Sequence, residues 1–435
     1  MAAQSPSPAR ACARGQTLAQ KLVARAAGRA VVTPGEIVTC RVDLAMFHDS
    51  SGPRRLAPML RELGAKPWDP ERIVVITDHY VPADDDDSRA ILRFTRDWVR
   101  EHGIARFHDG EGICHVVLPQ KGHLRPGMFV VGGDSHSPTG GAFGAYMFGI
   151  GATEMLGVLV TGEIWLRVPQ TLRIEIDAPL PDRVVAKDVM LHLIGTMGSD
   201  GGRYRAVEYA GAGIDALPMQ ERMTLSNMTA ELGGQTGLIA SDHVTLAALR
   251  EAGVDVSSID ASSWRSDVDA DVDERVVLDA AALAPMVAAP HSPANAHPVG
   301  ALAGERINVA YIGACTGAKL ADLRMAAAVL RGGRVAPGVD LQVAPASVQD
   351  QQAAEREGTL GVLLAAGARL LPTACGACAG YGSHRFGPDV RAIATTARNF
   401  RGRMGDAGSE VFLASPYTVA ASALTGRVTD PREIA

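Results

Sequence analysis

Four short apolar runs in this chain each end in a cluster of reactive side chains, and that pattern limits the fold more than any other feature. Val74-Val-Ile-Thr77 runs into Asp78-His79, and Phe129-Val-Val-Gly-Gly133 into Asp134-Ser135-His136. Asn308 to Ile312 precedes Cys315, and Ala368 to Leu371 precedes Cys375-Gly-Ala-Cys378. In α/β folds ligand chemistry gathers at the carboxyl ends of strands, so such ends can bring distant residues into one site. Between the runs lie helical stretches; Ser88 to His102 sets Ile91, Leu92, Phe94, Trp98 and Val99 along its length. Alternation of this kind argues for a parallel or mixed sheet covered by helices. The expected class is α/β.

A chain of 435 residues, 47% hydrophobic, is long enough for two or three domains with large cores. Residues 16–168 form the first expected α/β domain and carry the Asp-His motifs. Val168 to Ile176 alternates like a strand and opens a second α/β domain over 169–298. Its end, Ala284 to Ala301, holds four prolines and reads as a linker. The third α/β domain, 299–435, carries the three cysteines. Residues 1–15, rich in Ser, Pro and Arg without an acid, read as a disordered tail.

The formal net charge of −6 argues against nucleic acid or an acidic membrane as partner. No run approaches the eighteen or more apolar residues of a membrane span. Six cysteines in so long a chain make no disulfide framework, which suits a reducing compartment and a cytoplasmic location. Cys12, Cys40 and Cys114 read as passengers.

Cys315, Cys375 and Cys378 admit three readings from spacing. The Cys-x-x-Cys pair can be a redox dithiol, or part of a zinc site completed by Cys315 and a histidine. The three thiolates can also hold a cubane iron–sulfur cluster whose fourth iron lacks a protein thiolate. Asp78-His79, His115 in Gly112-Ile-Cys-His115, and Asp134-His136 suit proton transfer, because a carboxylate fixes a histidine's tautomer and raises its basicity. Gly133-Asp-Ser135-His-Ser137 only half matches a nucleophile elbow, so a serine hydrolase is not expected. Arg398, Arg401 and Arg403 follow the run Val390 to Ala394, where guanidinium forks can grip carboxylates.

Seven motifs then occur in order: Asp78-His79-Tyr-Val-Pro, Gly112-Ile-Cys-His115, Gly133-Asp-Ser-His136, Leu225-Ser-Asn-Met228, Gly313-Ala-Cys-Thr316, Cys375-Gly-Ala-Cys378 and Arg398-Asn-Phe-Arg-Gly-Arg403. Together they resemble the aconitase family, nearest the large subunits of the 3-isopropylmalate dehydratase and homoaconitase type. The resemblance covers about residues 16 to 432. It implies three α/β domains around a cluster cleft. Cys315, Cys375 and Cys378 would hold a [4Fe–4S] cluster with one open iron. Asp78, His79, His115, Asp134, His136 and Glu231 would form the catalytic set, and Ser135, Asn227, Arg398 and Arg403 would bind substrate. The reaction would be dehydration and rehydration of a malate-type hydroxy di- or tricarboxylic acid such as 3-isopropylmalate. Homocitrate-type acids and 2-methyl- or 2,3-dimethylmalate are alternatives, as is a non-catalytic, zinc-stabilised subunit.

Three departures from the family pattern stand out. Gly317 and Ala397 replace residues that relatives usually have as Asn, and Ser137-Pro-Thr-Gly-Gly141 is unusual. The family's Gly-Ser-Ser-Arg-Glu loop, which carries the carbon-proton base on a swivelling domain, is missing; Ala261-Ser-Ser-Trp-Arg265 is only a near miss. The expectation is therefore half an enzyme, completed by a small swivelling-domain subunit.

Overall fold

In the computed structural model, residues 15–381 and 385–434 are described. The tail expected over residues 1–15 therefore lies, apart from Gly15, outside them. Three larger sheets and one ribbon organise the chain. The first sheet is wholly parallel, in the order Arg106–Asp109, Ile73–Thr77, Leu44–His48, Phe129–Gly132, Tyr146–Gly149. All five residues of Ile73–Thr77 are buried, as are all five of Leu44–His48. Helices cover both faces of such a sheet, so its central strands need continuous apolar runs rather than alternation.

The second sheet is also parallel: Thr236–Ile239, Ala206–Ala210, Thr171–Ile176, Glu274–Leu278. The third has seven strands, ordered Ala296–Pro298, Met286–Ala288, Glu410–Ala414, Arg391–Ala394, Val309–Ile312, Asp340–Val343, Arg369–Leu370. Its last five strands are parallel, and the first two pair antiparallel. Here the linker expectation needs correction. Met286–Ala288 and Ala296–Pro298 belong to this sheet, with Val287 fully buried. The prolines stop the strands without freeing the segment, because Met286, Val287 and Ala288 still find an apolar face to cover.

The helices start where sequence chemistry says they should. Asp85 caps Asp86–Glu101 by accepting the Ser88 N–H at 2.7 Å, and Asp86 and Asp87 sit in its first turn. Leu92, Thr95, Trp98 and Val99 form its buried face.

Contacts between sheets place the strand ends around one cleft. The Ile113 N–H donates to Ala346 O at 2.8 Å, tying the first sheet's edge to the third. Gly112 makes that crossing with φ +126°; a Cβ there would lie 2.4 Å from Ser347 Cα. Only glycine accepts both the left-handed backbone and the approach. One apolar core runs from Leu172, Val189 and Tyr209 of the second sheet region to Tyr311, Phe386 and Met404 of the third. Another joins Met46 and Val74 to Met219, Cys315 and Ala346. No helix of the described residues is long and apolar enough to cross a membrane.

Candidate active site

Strand ends of the first sheet supply the acid–base groups. Asp78 and His79 follow Ile73–Thr77, and His79 Nδ1 lies 2.7 Å from Asp78 Oδ1. The other Asp78 oxygen accepts the Cys114 N–H at 2.8 Å. His115, on the helix Cys114–Gln120, places Nε2 2.7 Å from Asp134 Oδ1. The same oxygen accepts the His136 N–H at 2.8 Å. His136 Nε2 lies 2.9 Å from Glu231 Oε1, which also accepts Arg398 Nε–H at 2.6 Å. The expected catalytic residues thus form two linked networks, one centred on Asp78 and one on Asp134.

Charge states follow from burial set against neighbours. Burial opposes ionisation of Asp78, but the adjacent His79 charge overrides it and takes the carboxyl down to about 2. Burial likewise opposes the His79 cation, and Asp78 lifts it to about 9. Glu231 ends at about 2, since His136 and Arg398 outweigh its burial. For His115, burial dominates and its pKa falls below the usual range despite Asp134.

A cavity of about 350 Å³ opens beside these networks. His79, Asp134, Ser135, Arg398 and Arg403 line it, so five expected site residues meet there. His48, Ser50, Ser51, Arg55 and Tyr381 line it too, and none of these was expected. His48 stacks on His79 with ring centroids 3.9 Å apart, and its Nε2 lies 3.5 Å from Asp134 Oδ2. Asp49 accepts the His79 and Tyr80 N–H groups at 3.1 and 2.9 Å. A signal for His48-Asp49 was available: the pair ends the apolar run Leu44–Phe47, repeating the strand-end pattern in reversed order.

The cysteines lie behind the same cleft. Cys315 follows Val309–Ile312, while Cys375 caps and Cys378 lies within the short 3₁₀ turn Gly376–Ala379 after Arg369–Leu370. The Cys375 N–H donates to Asp78 O at 2.9 Å, joining the thiols to the acid–base wall. Asn227, at the end of helix Met219–Met228, donates from Nδ2 to Cys315 Sγ at 3.2 Å. Burial and the neighbouring Cys378 push the Cys315 thiol up to about 12. Cys378 goes the other way, to about 6, because the Cys375 thiol hydrogen-bonds to it.

Two fully buried lysines stand beneath. Lys187 Nζ donates to Thr395 O and Thr396 O at 2.5 and 2.6 Å, and Lys319 Nζ to Cys315 O at 3.1 Å and Asp322 Oδ2 at 2.7 Å. Neither lysine was legible as a site residue, since each begins an ordinary helix. Gly317 also gains a reason. A Cβ there would lie 2.1 Å from Thr395 Cβ, so an Asn at this position would displace the strand-end loop that leads to Arg398.

The aconitase family (aconitate hydratase) matches residues 20–426. The chain belongs to the aconitase family. It is 44% identical over 421 residues to the 3-isopropylmalate dehydratase large subunit 1 of Methanopyrus kandleri, across 96% of this chain and 99% of that one. It is 41% identical over 422 residues to a probable methanogen homoaconitase large subunit of Methanothermobacter thermautotrophicus, across 96% and 97%. Among solved structures, holo-form aconitase X of Thermococcus kodakaraensis aligns with a TM-score of 0.49 at 12% identity, over 85% of this chain and 89% of that one.

Aconitase-family membership makes this chain a hydro-lyase and implies a [4Fe–4S] cluster. The thiols suit that group. Zinc held at about 2.3 Å by each sulfur would bring thiolates within about 4 Å of one another. Among the described residues, the sets of three possible ligands mutually within 4.8 Å are His48, Asp49, Asp78 and His79, and His115, Asp134 and His136; the three cysteines are not one. Cysteine thiolates are the ligands that hold an iron–sulfur cubane. The Asn227 N–H at Cys315 is the kind of hydrogen bond that tunes a cluster sulfur.

Proposed function

We propose that this chain is the large subunit of a [4Fe–4S] hydro-lyase that dehydrates and rehydrates a malate-type hydroxy di- or tricarboxylic acid such as 3-isopropylmalate. The observation that carries the reading is one cavity lined by His79, Asp134, Arg398 and Arg403, with the cysteine loop tied to its wall through the Cys375 N–H on Asp78 O and Arg403 on Cys378 O. Cys315, Cys375 and Cys378 hold the cluster, which when bound supplies a Lewis-acidic open iron to the hydroxyl that leaves. Arg403 donates Nε–H to Cys378 O at 3.0 Å, which fixes its fork and leaves both terminal nitrogens for a substrate carboxylate. Arg398 is braced on Glu231 in the same way.

Proton handling divides by charge. His79 is protonated near neutral pH and has no partner on Nε2 among the described residues, so it gives a proton to the leaving oxygen. Asp134 orients His115 and His136, and Ser135 offers a hydroxyl from the cavity wall. Asn227 orders the cluster side through Cys315. The proton on carbon needs a base, and we assign it to a small swivelling-domain subunit, because the relatives are named large subunits. We take the chain as three α/β units over 16–168, 169–298 and 299–435, the second lending Met286–Ala288 and Ala296–Pro298 to the third sheet. They work in the reducing cytoplasm, where the thiols stay out of disulfides.

The test is direct. Anaerobically purified chain should absorb broadly near ~400 nm and carry about four irons, as a cubane with three protein thiolates requires. Changing Cys315, Cys375 or Cys378 to Ser should remove the colour, and changing Cys114 should not. Mixed with its small subunit, the chain should form the unsaturated acid, followed in the ultraviolet. Stoichiometric zinc without iron would refute the reading, as would full turnover by this chain alone for the two-subunit part.

A further inference from the structure

Arg398 and Arg403 account for the carboxylates that a malate-type acid presents, yet a third guanidinium lines the same cavity and has no role so far. Arg55 stands in the first turn of helix Pro53–Glu62, beside Arg54 and with no acidic residue in that turn. Cations are disfavoured at a helix amino end, whose N–H groups already carry partial positive charge. Arg54 is accounted for: it donates to Tyr80 OH at 2.6 Å and lies over that ring. Arg55 is not. Its Nε–H donates to Ser50 O at 3.2 Å, and it pairs with no carboxylate among the described residues. That is the arrangement of Arg403, whose Nε is likewise spent on a backbone carbonyl while its fork has no carboxylate partner among the described residues.

A second observation concerns the same wall. His48 is 3% exposed and lines the cavity. Its Nδ1 accepts the Ser50 and Ser51 N–H groups at 3.2 and 3.3 Å, so the ring proton is on Nε2. Among the described residues Nε2 has no hydrogen-bond partner, with Asp134 Oδ2 at 3.5 Å. The buried Ser51 hydroxyl, also on this wall, is unpartnered as well. Segment 48–55 therefore presents donors without acceptors: a guanidinium fork, an imidazole N–H and a hydroxyl. Such a set is matched by a carboxylate, which accepts at both oxygens.

We propose that Arg55, flanked by His48 and Ser51, forms a further carboxylate subsite, so that the variable arm of the substrate is acidic and the preferred substrate is a hydroxy tricarboxylate. This rests on the hydro-lyase reading above and narrows it. An alkyl arm would instead lie on Ile150, Ala152 and Met155, the apolar part of the lining.

The experiment is calorimetric titration of the cluster-loaded chain with homocitrate and with 3-isopropylmalate, for wild type, Arg55→Leu and Arg55→Lys. Arg55 is exposed, so its variants should keep their iron content and melting temperature, both measured alongside. Wild type should bind homocitrate roughly tenfold or more tightly than 3-isopropylmalate, the scale of one charge-assisted fork. Arg55→Leu should erase that preference while changing 3-isopropylmalate binding less than ~threefold, and Arg55→Lys should restore part of it. If both acids bind and Arg55→Leu leaves their ratio unchanged, the subsite is refuted and the hydro-lyase reading stands. The subsite equally fails if 3-isopropylmalate binds wild type as tightly as homocitrate. If neither acid binds the cluster-loaded wild type, the hydro-lyase reading itself falls and the subsite with it.

Discussion

His79 and His115 each meet a carboxylate oxygen at 2.7 Å, both are buried, and they end in opposite charge states. Burial disfavours the cation in each. At His79 the charges of Asp78 and of Asp49, 3.8 Å away, prevail and raise its pKa to about 9. At His115 burial prevails, because Asp134 also holds the His136 N–H, and the nearby His136 opposes a second cation. Distance within the pair is the same, so it decides nothing here. What differs is the number of carboxylates per histidine, and that sets which of the two carries a charge at neutral pH.

The most damaging way to break this contrast is Asp134→Asn, which removes the carboxylate shared by His115 and His136. Turnover of the two-subunit enzyme should fall by ~10²–10⁴-fold, the usual span for losing a general acid–base system. Iron content should hold, and a loss below tenfold would show that His115 and His136 do not depend on Asp134. Asp49→Asn acts on one side only. It should lower the His79 pKa from about 9 and move the alkaline limb of kcat/KM to lower pH. An unmoved limb would mean that Asp78 alone sets His79.

Stability should split in sign between the two histidines. His79 has a folded pKa of about 9 against an unfolded value near 6.5, so its pair stabilises the fold fully below about pH 6.5 and loses that contribution as pH rises through 9. His79→Gln should therefore lower Tm most in acid and least above pH 9. His115 is lowered, so it favours the fold above about pH 6.5 and costs stability as pH falls. His115→Gln should gain on wild type in acid. Parallel Tm–pH curves for the two variants would contradict the assignment.

The smallest effect is expected at a pair without an aspartate. His108 Nε2 and His123 Nε2 meet at 2.8 Å, and burial with the His108 charge takes His123 down to about 4. Neither lines the cavity. His123→Ala should change kcat less than ~twofold, in line with substitutions away from the chemistry.

Much of the site was legible in the sequence because its residues stand at strand ends. Asp78 and Asp134 follow apolar runs of one parallel sheet, Cys315 and Cys375 of another; each sheet aligns its own ends, and contacts such as the Cys375 N–H on Asp78 O join the two sets. Arg398 and Arg403 follow Arg391–Ala394 for the same reason. The segment 284–301 misled, since its prolines signal chain breaks and say nothing of whether the residues between them reach an apolar face. His48, Asp49 and Lys187 drew no reading from the sequence. Lys187 comes near the candidate site only in the fold, where its Nζ meets the carbonyls of Thr395 and Thr396, more than two hundred positions away.

What the sequence alone determined was the α/β class, the family, the three cysteines and the two Asp–His motifs, because these are local patterns of residue type and spacing. Only the tertiary structure decided which histidine is charged, since a pKa depends on burial and on every neighbour within a few ångströms. It alone put Arg55 on the cavity wall with Arg403, and it alone explained Gly317, whose missing side chain leaves room for Thr395. Those facts belong to pairs of residues far apart in the chain, and a one-dimensional string holds no distance between them.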